Sequence, residues 1–74
     1  MKRIIQFKIY RGEKYFIGEG MDISVVTQGK TVDEVIKNIQ EAVDLHLEGE
    51  NVAEFDVAPD PSVLVSYELE RAYA

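Results

Sequence analysis

Residues 29–49 read Gly-Lys-Thr-Val-Asp-Glu-Val-Ile-Lys-Asn-Ile-Gln-Glu-Ala-Val-Asp-Leu-His-Leu-Glu-Gly, and this stretch decides the fold. Thr31 and Glu34 have capping-box spacing, in which the Thr31 hydroxyl accepts from the Glu34 amide while the Glu34 carboxylate reaches back. A helix is therefore predicted from Val32, entered through a tight turn that Gly29 permits. At about 100° per residue, Val32, Val35, Ile36, Ile39, Ala42, Val43, His46 and Leu47 fall on one stripe, and Gly49 supplies a stop. The opposite side carries Glu34, Lys37, Glu41, Asp44 and Glu48. Asp33 and Lys37 stand in the i,i+4 order that favours pairing, whereas Asp44 and Glu48 form a like-charge pair. Leu45 is out of place, because it projects among those acids.

Upstream, Arg3 to Tyr10 alternates Ile5, Phe7 and Ile9 against Gln6 and Lys8, the pattern of a half-buried strand. Arg11-Gly12-Glu13 is a short link to a second strand over Lys14 to Glu19, which makes a β-hairpin. Gly18 and Gly20 suit a bulge or the close approach of another backbone. Ile23 to Gln28 reads as a third strand. Downstream, residues 50–62 show no period, and Pro59-Asp60-Pro61 disfavours regular structure, so a long connection with room for one helical turn is predicted. Val63 to Leu69 alternates again and gives a last strand before a short tail, residues 70–74.

The order β-β-β-α-β places the chain in the α+β class as one domain over residues 1–74. A right-handed crossover through the helix brings the last strand parallel to the first. The expected product is a four-stranded mixed sheet of order 3-2-1-4 with one main helix on one face. That helix covers a single face, yet Ile4 and Tyr10 look the other way. Either a homodimer, a higher homo-oligomer or another protein covers the second face, or it stays open with scattered apolar residues.

The 74 residues contain 8 Lys and Arg against 14 Asp and Glu, a net charge of −6. The charge is segregated: residues 1–14 hold five bases against one acid, net +4, and residues 15–74 hold three bases against thirteen acids, net −10. A nucleic-acid binder needs the reverse balance. The acidic body suits a basic partner, or it is a solubilising surface. The absence of Cys excludes disulfides, zinc ribbons, iron–sulfur sites and thiol catalysis. No apolar run approaches the roughly 20 residues that span a bilayer, and no apolar segment follows Lys2-Arg3, so a cytoplasmic chain with no membrane contact is expected. Gly29-Lys30-Thr31 lacks the earlier glycine of a phosphate loop, His46 lacks metal-ligand spacing, and Ser62 and Ser66 lack nucleophile-elbow glycines. No catalytic, cofactor-binding or metal-ligating residue is singled out, and no enzyme activity is expected.

From Gly20 to Leu47 the sequence closely resembles the HicB-like antitoxin family. The matching core is Thr27-Gln28-Gly29-Lys30-Thr31, Asp33-Glu34, Asn38-Ile39 and Glu41-Ala42. With the flanking strands the resemblance covers most of residues 3–69. Gly20 and Ser24 depart from many relatives, and His46 stands where they often carry an aromatic residue. The resemblance implies a partial ribonuclease-H-like fold and an antitoxin that masks a small basic HicA-type toxin, which cleaves messenger RNA. Longer members carry a C-terminal DNA-binding module, and without one after residue 74 direct DNA binding by this chain alone is not expected. Ribonuclease-H chemistry needs converging carboxylates, normally with one on the first strand, and Arg3 to Tyr10 has none. The expected partner surface is Glu34, Glu41, Asp44, Leu45 and Glu48, with Thr31 and Glu34 as helix cap and Gly29 as turn. The alternative is an orphan oligomeric interaction module of the same fold.

Overall fold

A computed structural model describes residues 2–48 and 57–69, with side chains placed over 3–48 and 60–69. Its elements are β1 (Lys2–Arg11), β2 (Phe16–Gly20), β3 (Val26–Gly29), α1 (Val32–Glu48) and β4 (Val57–Tyr67). The four strands form one mixed sheet in the order β3-β2-β1-β4. β1 pairs antiparallel with β2 and parallel with β4, and β2 pairs antiparallel with β3. This is the predicted α+β topology.

α1 begins where its cap predicts. The Glu34 amide donates to Thr31 Oγ1 at 3.1 Å, and the first helical bond runs from the Val35 amide to Thr31 O at 3.1 Å. The core joins Ile5, Phe7 and Ile9 of β1 to Val35, Ile39 and Val43 of α1, with Ile23 and Val25 closing one side. Burying each of the larger of these side chains contributes about 1.5–3 kcal/mol. Phe16, Val32, Ile36, Ala42, Leu47, Val63 and Val65 pack around them.

The helix approaches the sheet at Gly18. A Cβ there would stand 2.8 Å from Val35 Cγ1 and 2.9 Å from Ile39 Cδ1, so a bare backbone is what lets α1 settle. At Gly18 the close approach is made by helix side chains and not by the expected backbone, whereas at Gly20 backbone does approach, at Ile23 O and Val25 O. Asn38 Nδ2 donates to Gln28 O at 2.8 Å and ties the helix to β3.

Three strand starts differ from the sequence reading by two residues or more. The β1–β2 link occupies residues 12–15, closed by the Gly12 amide donating to Tyr15 O at 2.7 Å, so β2 starts at Phe16 and not at Lys14. β3 starts at Val26 and not at Ile23. The Met21 amide bonds Gln6 O at 2.8 Å, the Gly20 amide bonds Val25 O at 2.8 Å, and the Val25 amide bonds Ile23 O at 2.9 Å in a three-residue turn about Ser24. That folded segment delivers Ile23 and Val25 to the core from a turn instead of a ladder.

The third difference concerns β4, which begins at Val57 and includes Pro59-Asp60-Pro61. Lys2 pairs with Val57 and Ile4 with Ser62, so five steps along β4 match two along β1 and three extra residues form an irregularity. Proline lacks an N–H, and an irregular edge strand is where sheets accommodate it. The rest of the predicted connection, residues 50–56, the stop at Gly49 and the tail 70–74 lie outside the described residues.

Replacing Gly18 by Ala should destabilise the domain by about 1–3 kcal/mol through overpacking against Val35 and Ile39. The check is a lower urea midpoint at unchanged slope.

Candidate interaction surface

The outer side of α1 follows from its packed side. With Val35, Ile39 and Val43 buried, Glu34, Lys37, Glu41, Asp44, Leu45 and Glu48 are all exposed. Glu41, Asp44, Leu45 and Glu48 recur at three- and four-residue steps, so the structure brings them together over the last two turns. Leu45 is 69% exposed at their centre. Glu34 lies apart, about 10 Å up the axis from Glu41, with Lys37 between. Its amide donates to the Thr31 cap, its carboxylate does not make the expected return bond, and its Cβ and Cγ lie 3.1 Å from where a Gly29 Cβ would stand. Gly29 is the buried last residue of β3, and a Cβ there would stand 3.0 Å from the Val35 amide nitrogen, so what it supplies is room for the start of α1.

Among the described residues the one ion pair within 4.0 Å joins Lys8 Nζ to Glu68 Oε1, at 3.9 Å. Asp33 and Lys37 do not close a pair despite their favourable order. The helix acids therefore keep their field. Asp44 and Glu48 also sit at the helix end where backbone carbonyls are negative, and acids placed there cost about 0.3–1 kcal/mol each. The chain carries this local cost at the position where Leu45 is exposed.

The open face of the sheet is more polar than the strand pattern suggested. Pairing of Lys8 with Glu19 and Ser66 puts a base at its centre between two acidic strands. Tyr10 Oη donates to Glu19 Oε1 at 3.1 Å, and Lys8 Nζ lies 5.8 Å from the Tyr10 ring centroid. The apolar residues occupy two separate corners, Ile4 with Leu64 and Ile17 with Val26. The network was invisible in the sequence, since only the strand register brings Lys8, Tyr10, Glu19 and Glu68 together. Arg11 is likewise engaged within the chain, its guanidinium 5.8 Å over the Phe16 ring, and Phe16 meets Tyr67 edge-on at 6.1 Å.

Two open depressions border the start of β1. One, about 390 Å³, follows the turn from Glu19 to Val26; the other, about 330 Å³, lies between Arg3, Ile4, Gln6 and Asp22. Asp22 Oδ2 accepts from the Gln6 amide at 3.0 Å, which uses it as a cap for the unpaired side of β1. Among the described residues no group of three or more His, Asp or Glu is placed to hold a metal ion. His46 is half-buried on the packed stripe, and no described helix is long and apolar enough to cross a membrane.

The hydrogen bond to Glu19 raises the Tyr10 phenol above its ordinary value of 10.0, with partial desolvation and the Glu19 charge adding to it. A raised phenol stabilises the folded state fully below pH 10.0 and loses that contribution as the pH climbs through the raised value. Glu19→Gln should bring the Tyr10 titration, followed by its ring-carbon resonance, back toward 10.0. No movement would show that the contact is not made in solution.

Comparisons with protein-family models, with curated proteins and with solved structures find no match to this chain.

Proposed function

We propose that this chain is a HicB-like antitoxin, a binding protein that sequesters a small basic mRNA-cleaving toxin of the HicA type. The observation that carries this reading is the exposed acidic patch of α1, with Leu45 ringed by Glu41, Asp44 and Glu48. A folding domain gains nothing locally from acids at a helix C-terminus or from a bare leucine among them. A basic partner changes both terms. Its cations neutralise the patch, and an apolar anchor over Leu45 removes that side chain from water. At physiological salt the field fades within about 8 Å, so the acids act chiefly by steering encounter and rejecting acidic competitors.

The family resemblance supports the same reading. Its motif residues have identifiable places in this fold: Gly29 leaves room for the start of α1, Thr31 caps it, Asn38 ties it to β3, and Glu41 lies at the top of the acidic patch. In this proposal the antitoxin works by occlusion, covering the toxin's catalytic face with the outer side of α1. No chemistry on the bound toxin is required.

The test is to look beside this gene for one that encodes a small basic protein, and then to co-express the two and titrate them calorimetrically. Glu41→Lys combined with Leu45→Lys should weaken binding by about 10- to 100-fold, a loss of about 1.4–2.8 kcal/mol. Circular dichroism should show an intact fold, because both positions are exposed. Unchanged affinity discards the patch, and failure to neutralise any such toxin discards the proposal.

A further inference from the structure

We draw no further inference here: the strongest candidate, the open face of the sheet, where exposed Ile4, Val26 and Leu64 flank the network of Lys8, Tyr10 and Glu19, is an unpartnered face, and nothing in the structure shows what covers it.

Discussion

The contact between Gly18 and the underside of α1 governs the rest of the molecule. With no side chain at that point of β2, Val35 and Ile39 reach the sheet backbone, and Ile5, Phe7 and Ile9 close around them. A small domain buries a modest share of its surface, so a single well-seated helix supplies much of what holds it together. Two further contacts fix how the helix sits. The Thr31 cap sets where it starts, and the Asn38 bond to Gln28 O sets its rotation about its own axis.

That rotation is also what creates the proposed binding surface. Once Val35, Ile39 and Val43 are buried, Glu41, Asp44, Leu45 and Glu48 have no direction left but outward. Core packing and recognition are two sides of the same helix. The basic residues near the N-terminus do not offset this acidity in a simple way, because Lys8 is held by Glu68 and the Tyr10 ring, and Arg11 lies over Phe16. Lys37, which interrupts the stripe between Glu34 and Glu41, separates Glu34 from the acidic patch.

The open face of the sheet illustrates how register alters a sequence pattern. Alternation in β1 puts Ile4 and Tyr10 opposite the helix, which reads as a second apolar face awaiting cover. Pairing with β2 and β4 inserts Glu19 and Ser66 on either side of Lys8, and the Tyr10 hydroxyl turns to Glu19. The centre of that face is a polar network, and its apolar residues are divided between two corners. The edge of β4 is likewise a product of pairing, since the register with β1 decides that the backbone groups of Val63, Val65 and Tyr67 point away from β1.

Local chemistry in the sequence was enough to determine the helix start, its buried stripe, its acidic outer side and the strand order. Each follows from short-range physics: a hydroxyl three residues from an amide, a 3.6-residue period, a handed crossover. The exposure of Glu34, Glu41, Asp44, Leu45 and Glu48 was legible for the same reason, although the separation of Glu34 from the other four needed the packed helix. The tertiary structure alone decided the folded segment before β3, the irregular entry of Pro59 and Pro61 into β4, and the grouping of Lys8, Tyr10, Glu19 and Glu68. Those depend on hydrogen bonds and register between residues far apart along the chain, for which no local period exists.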